Sequence, residues 1–284
     1  MLFSWTSFVV LLGVVAMVMA GLHLIQHWIP HPRRAQHNDV GGAIFAAIAV
    51  FYAVLVAFVI VALWTDDGTA RQTTYNEAND LASVYWLSRQ MPPAQGRPLE
   101  RLTLTYARTV ISQEWPLMAR HHSSPAATQL IYQMRDQAFS LNPKTLHDQV
   151  IFQEVTTSVT ALAADRRTRL DAVGAGLPPF LWAALIGGGA LSVGFTFMFG
   201  LPSIWTHVVM AGLFAAVIVT SLILIKDLNY PFAGPGKISP EAFQVFLSRL
   251  PPPRLPGRPT ARATPGYTAQ RAWAARWRRR CLRA

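Results

Sequence analysis

The segment Gly41 to Trp64, GGAIFAAIAVFYAVLVAFVIVALW, runs for 24 residues without one charged side chain. As a helix rising ~1.5 Å per residue it would measure roughly 36 Å, slightly more than a bilayer core of about 30 Å. It stops abruptly at Asp66 and Asp67. A run of this length and polarity is read as a membrane span, since an isolated helix satisfies its own backbone hydrogen bonds in lipid. The composition agrees. Hydrophobic residues make up 52% of the chain and charged residues only 14%, where soluble domains carry about 25% charged residues.

Three further segments fit the same description: Ser7 to Ile25, Phe180 to Phe199 and Ile204 to Ile225. A signal peptide is the rival reading of the first. Its leading residues, MLFSWTS, lack Lys and Arg, and Met19-Ala20-Gly21 is only a passable cleavage site, so an uncleaved span is expected. The third contains Gly187, Gly188, Gly189 and Gly194, and the fourth is interrupted only by Thr206, His207, Thr220 and Ser221. The expected fold is all-α. It has a first transmembrane pair in residues 1–64 (spans 7–25 and 41–64), a polar insert in 65–178 and a second pair in 179–226 (spans 180–199 and 204–225). A post-span element, 227–250, and a basic, Pro/Arg-rich, disordered tail, 251–284, complete the chain.

No β alternation appears in the insert, and four helices are expected there. The first runs from Thr69 to Met91 as a continuation of the second span, and Pro92 and Pro93 stop it. The second covers Pro98 to Trp115, punctuated by Glu114-Trp115-Pro116. The third opens at Ser124-Pro125, an N-cap residue followed by Pro at N1. The fourth opens at Asn142-Pro143 and ends near Gly174 and Gly176. After the last span, a short helix from Pro240 to Leu250 takes Ser239 as N-cap.

The second span has two kinds of surface. Gly42, Ala46, Ala49, Ala53 and Ala57 form a small-residue stripe, the pattern that lets helices pack closely in lipid. The bulky rows are Phe51, Leu55 and Val59, or Ile48, Tyr52 and Val56, and these six are the candidate pore-lining residues. Four histidines, His23, His27, His31 and His37, crowd the first link. Pro30 and Pro32 break any helical metal-ligand spacing, so an interfacial loop is expected there. Asp39, Asp66, Asp67 and Asp227 sit near span ends as caps or hydrated groups; a cation site at Asp227 is the lesser alternative. Cys281 is the lone cysteine, which leaves no disulfide framework and no cysteine metal cluster.

Charge sets the topology. Residues 65–178 carry 11 Lys/Arg and 11 acids, whereas residues 226–284 carry 12 Lys/Arg and 2 acids. With four spans, the insert and both termini share one side, and the positive-inside rule makes it the cytoplasm. Arg71, the Arg166-Arg167-Arg169 cluster and Lys226 support that placement, while Arg33 and Arg34 oppose it. The expected location is a bacterial inner membrane, multi-pass. The basic tail, including a candidate helix at Tyr267 to Leu282 with Trp273 and Trp277, suits anionic lipid headgroups rather than nucleic acid.

No enzyme motif and no cofactor fingerprint is present. The spans hold no Asp, Glu, Lys or Arg, which argues against a proton- or ion-coupled pump but leaves room for a passive pore with an apolar constriction. Several short motifs then point to one family. They are Gly41–Trp64 itself, Glu77-Ala78, Tyr106, Glu114-Trp115-Pro116, Arg169-Leu170, Gly176-Leu177-Pro178, and Asp227-Leu228-Asn229-Tyr230-Pro231-Phe232 with Gly234. Over about residues 38–247 the chain resembles the bestrophin-like domain proteins of bacteria. The resemblance implies a distant likeness to bestrophins, pentameric anion channels with four spans, cytoplasmic termini and a pore lined by the second span. Pro231-Phe232 resembles the element that follows the last span in bestrophins, but the acids that help bind calcium there are replaced by Ala-Gly-Pro-Gly-Lys, so calcium gating is not expected. Two functions follow: a homo-oligomeric passive channel for inorganic anions, or a non-conducting sensor or scaffold acting through the insert and tail.

Overall fold

The computed structural model describes residues 5–28, 38–234 and 236–250. The first four residues, the histidine- and arginine-bearing link at 29–37 and the tail from 251 lie outside the described residues, and with them the expectations made for the link and the tail. Among the described residues all regular structure is helical.

Four helices are long and apolar enough to cross a bilayer: α1 (Trp5–Trp28), α2 (Asn38–Ser88), α7 (Pro179–Thr196) and α8 (Ile204–Leu228). Their neighbours are consistent with a bundle in which α1 lies along α8, and α2 lies against α7 and α8. At one end, Val56, Val59 and Leu63 of α2 pack with Leu185 of α7 and Ile225 of α8. At the other, Leu22 of α1 packs with Val208 and Ala211 of α8. There Phe45 meets Phe195, Phe199 and Phe214 at centroid distances of 5.8, 5.6 and 5.4 Å. The Asn38 carboxamide donates to the Gly200 carbonyl at 2.8 Å and accepts the Gly200 N–H at 3.0 Å, tying the start of α2 to the α7–α8 turn. His207, one of the few polar residues of α8, donates Nε2–H to the Thr196 carbonyl at 2.9 Å, one of the carbonyls left open where α7 ends.

α2 is one unbroken helix of 51 residues. At ~1.5 Å per residue that is roughly 76 Å, more than twice a bilayer core, so its outer half becomes the first helix of the insert. The insert continues with α3 (Pro93–Thr109), a π-helical turn (Val110–Glu114), α4 (Trp115–Met118), α5 (Pro125–Phe139) and α6 (Leu146–Gly174). α6 returns antiparallel along α2, α3 lies on α2, and α5 lies on α3 and α6. α9 (Glu241–Ser248) comes back after α8 to pack on α2 and α3.

Several boundaries differ from expectation. α3 begins at Pro93, so Pro98 lies inside it rather than opening it. The tight α2–α3 corner depends on Gly96, where an added Cβ would stand 2.0 Å from the Ser88 carbonyl oxygen. Glu114-Trp115-Pro116 does not stop the helical path. Pro116 lacks the N–H that would continue the ladder, and the chain widens just before it so that Trp115 N–H reaches the Val110 carbonyl. α6 starts at Leu146, not at Asn142-Pro143. Thr145 and Asp148 form a reciprocal capping box there, which satisfies two otherwise open N–H groups. α5 starts as expected, with the Ser124 hydroxyl accepting the Ala127 N–H. For α9 the N-cap position is Pro240, without a side-chain cap, and Ser239 lies before it.

Candidate functional site

Two faces of α2 separate once the helix is packed. Tyr52, Leu55, Val56 and Val59 turn toward α7 and α8 and join the protomer core. Ile48, Phe51, Tyr52 and Leu55, together with Gly188 and Leu191 of α7, line an open apolar groove at the edge of that contact. The helix surface beyond that groove is exposed among the described residues. On it Phe51 is 79% exposed, Val54 47% and Phe58 71%. At ~100° per residue these three fall in one line along the helix. Of the small residues, Ala46, Ala53 and Ala57 are also exposed, beside that line, whereas Gly42 and Ala49 are half-buried.

The six candidate pore residues therefore do not form one surface. Val56 and Val59 are buried, Ile48, Tyr52 and Leu55 are half-buried, and Phe51 alone is exposed. Phe58 was not among the candidates. Its signal was the seven-residue spacing from Phe51, which brings a helix back to the same side after two turns.

In the insert, the family-motif residues come together although they are far apart in sequence. Glu77 of α2 and Glu114 at the end of the π turn face Arg166 and Arg169 of α6. Arg169 grips Glu77 with Nε and Nη2 at 2.5 and 2.9 Å, and its Nη2 also reaches Glu114 at 2.8 Å. Arg166 Nη2 donates to the other Glu114 oxygen at 2.6 Å and to the Thr128 hydroxyl at 3.0 Å. The Ser124 N–H adds a third donor to Glu114 at 3.2 Å. Tyr106 of α3 donates its hydroxyl to Glu77 at 2.5 Å. The Arg169 guanidinium lies 5.2 Å from the centroid of the Trp115 ring. Trp115 donates its indole N–H to the Ile238 carbonyl at 3.0 Å and packs edge-on against Phe232.

This cluster is electrically balanced, with two carboxylates and two guanidiniums, and all four are buried. Burial alone would raise the Glu114 carboxyl, but Arg169 and Arg166 outweigh it and hold it below its ordinary value. Burial disfavours the Arg169 cation, and Glu77 more than reverses that, so the guanidinium stays charged. Burial and the neighbouring Glu77 push the Tyr106 phenol well above its usual range. The arrangement is a permanent ion-pair core that joins α2, α3, the π turn and α6.

One turn along α2 stands a different pair. Asp80 and Asp165 of α6 are half-buried and hydrogen-bonded to each other. Desolvation, then the charges of Asp165 and Glu77, lift Asp80 to about 6, and desolvation with Glu77 raises Asp165 as well. Two carboxyls so placed disfavour ionising together, the arrangement in which a pair shares a proton.

The other motif residues join the insert to the last two spans. Pro178 precedes α7 and Pro179 opens it. Asp227 stands in the last turn of α8, and Asn229 just after it accepts the Leu177 N–H at 2.7 Å. The Pro231 carbonyl accepts the Ile238 N–H at 2.8 Å, and Phe232 is buried against Trp115. Arg166 and Arg169, counted above as interfacial charges that set topology, are instead neutralised inside the insert. Arg166, Asp80 and Asp165 were not singled out as site residues, because nothing local in sequence marks partners that lie tens of residues away.

Comparison with known proteins gives a consistent result. A family model described as the bestrophin-like domain matches residues 12–243. Among solved structures, a mutant of a bacterial bestrophin homologue from Klebsiella pneumoniae superposes with a TM-score of 0.64 at 11% identity, covering 83% of this chain and 96% of that one. A second mutant described in the same terms gives a TM-score of 0.61 at 12% identity, covering 83% and 94%. A structure described only as a membrane protein gives 0.60 at 10% identity, covering 82% and 95%. No curated protein matches the chain. At these identities the structural likeness is one of fold.

Proposed function

Because this chain belongs to the bestrophin-like domain family, we propose that it assembles as a homo-oligomeric passive anion channel lined by α2. The observation that carries this reading is the free face of α2, where Phe51, Val54 and Phe58 stand in one exposed line within a span that has no charge. In a ring of copies with this line toward the axis, the stacked side chains form an apolar constriction of the kind that gates by dewetting. The exposed Ala46, Ala53 and Ala57 then offer a flat surface for a neighbouring α2. The pentamer implied by bestrophins is the expected ring size. The insert and both termini are placed in the cytoplasm at a bacterial inner membrane, with the basic tail on anionic lipid headgroups.

The test is purified, folded, oligomeric protein in planar bilayers under chloride and nitrate gradients. An anion-selective current that grows when Phe51 and Phe58 are both replaced by Ala is the expected result. Absence of current under every anion gradient would overturn the reading.

A further inference from the structure

The outward face of α3 carries charge of one sign. Arg97, Arg101, Thr105 and Arg108 follow one another at intervals of four, four and three residues, Ser112 of the π turn comes four residues later, and all five are exposed. At ~100° per residue the four on α3 span an arc of roughly 80°, on the side away from the buried Leu99, Thr103, Tyr106 and Ala107. Among the described residues none of the three guanidiniums has a salt bridge or lies over an aromatic ring. Elsewhere on the insert, Arg71 pairs with Asp67, Arg89 lies over Tyr85 and Trp86, and Arg135 lies over Phe139. The Thr105 and Ser112 hydroxyls donate to the Arg101 and Arg108 carbonyls, both at 2.8 Å, so the positions between the arginines are small and turned to their own helix.

The helices beside α3 do not cancel this charge. α5 exposes Arg135 and Asp136, and α9 brings Glu241 with Arg249 just after it, one of each sign in both cases. Glu100, the one acid of α3, is half-buried beside the row. The insert as a whole carries 11 Lys/Arg and 11 acids, so three free cations in line are a local excess.

Position narrows the occupant. α3 runs antiparallel along α2, since Gly96 abuts Ser88 and Tyr106 reaches Glu77. Glu77 lies thirteen residues beyond Trp64. At ~1.5 Å per residue, Arg108 therefore stands roughly 17 Å and Arg97 roughly 33 Å past the end of the apolar run. With a Debye length of about 8 Å at physiological salt, both are screened from headgroup charge. The chain's own tail repels the row, because residues 226–284 carry 12 Lys/Arg against 2 acids. What remains is a line one helix wide, in which each guanidinium offers a planar fork that matches a carboxylate.

We propose that the outer face of α3 docks an acidic helical segment of another protein, whose Asp or Glu side chains, spaced by four and seven residues, pair with Arg97, Arg101 and Arg108. Exposed pairs are individually weak and screened by salt, so the contact is reversible and salt-sensitive. Docking there needs neither conduction nor a ring of copies, and it stands whichever way the channel reading falls.

The test uses the full chain in uncharged detergent and a fluorescein-labelled helical peptide of Ala and Gln with Glu at intervals of four, seven and four. That is the spacing of Arg97, Arg101, Arg108 and Ser112 read in either direction. Fluorescence anisotropy at low salt is expected to show this peptide binding about tenfold tighter than one of the same composition with its Glu positions scrambled. Arg97→Gln, Arg101→Gln and Arg108→Gln together should abolish the difference. Arg120→Gln, Arg135→Gln and Arg167→Gln together, exposed cations outside α3, should preserve it. Equal binding of the two peptides, no binding, or the same loss in both triple variants would overturn the proposal. A single-stranded DNA oligonucleotide that binds the α3 row more tightly than the matched peptide would overturn it in favour of nucleic acid.

Discussion

Tyr52 on the membrane half of α2 and Tyr106 on α3, which packs on its outer half, are held in opposite ways. Among the described residues the Tyr52 hydroxyl is enclosed without a hydrogen-bond partner, and its side chain lies over Gly188 and Gly189, where an added Cβ would come within 2.8 Å of the ring and 2.9 Å of the hydroxyl oxygen. The Tyr106 hydroxyl binds Glu77 within a fully buried network. The contrast holds for the two halves of α2 as a whole. Inside the bilayer, lipid is as apolar as a side chain, so shape and close approach carry the packing. In the insert, water sets the reference state, and a charged group is buried only when its lone pairs and protons are met by partners. The same helix therefore passes from a contact made of Gly, Tyr and aliphatic surface to one made of Glu and Arg.

The strongest challenge to that contrast is Arg169→Met. It leaves Glu77 in the insert core with no cation, only the Tyr106 hydroxyl, and Glu114 with Arg166 alone, and loss of one partner from a buried pair costs about 3–5 kcal/mol. Chemical denaturation of the detergent-solubilised protein, followed by circular dichroism, should show the insert unfolding early while the spans persist. Unchanged stability would mean that the ion pairs do not organise the insert.

A smaller effect separates the two tyrosines. Tyr106→Phe removes a hydrogen bond to a carboxylate and is expected to cost about 1.5–3 kcal/mol, whereas Tyr52→Phe removes a hydroxyl with no bond to lose and should be neutral or slightly stabilising. Thermal melts of the two variants side by side measure the difference. Equal losses would show that Tyr52 has a partner in the membrane.

The smallest expected effect is a pH dependence centred on Asp80 and Asp165. Both carboxyls are raised in the folded protein, so the folded state holds protons more tightly than the unfolded chain. Their contribution to stability is complete below the unfolded value near pH 4 and is lost as pH rises through about 6, the folded value of Asp80. The melting temperature should therefore fall from pH 5 to pH 7, and Asp80→Asn should flatten that slope. A wild-type profile as flat as the variant's would count against proton sharing.

Much of this architecture was legible in the chain. The four charge-free runs, the continuation of the second span into the insert, and the Ser124-Pro125 helix start each depend on local composition or a local cap, and each stands in the structure. The start of α6 was misplaced because Thr145 with Asp148 made a stronger cap than Asn142-Pro143. The candidate pore face was harder. A span that is apolar on every side has no periodic signal to say which side faces protein, so Phe51, Tyr52 and Val59 looked alike in sequence. Only packing against α7 and α8 put Val59 inside, Tyr52 over two glycines, and Phe51 in line with Phe58.

The basic triplet in α6 makes the same point from the other side. Arg166, Arg167 and Arg169 read as one patch of charge near a span, and Arg167 is indeed exposed. Arg169 is buried because it meets Glu77, 92 residues away, and Arg166 because it meets Glu114, 52 residues away. Sequence by itself determined that α2 must cross a membrane, because the length and polarity of Gly41–Trp64 admit few other stable environments. Tertiary structure alone decided which α2 side chains turn inward and which charges are neutralised, because both depend on contacts between segments that no local pattern connects.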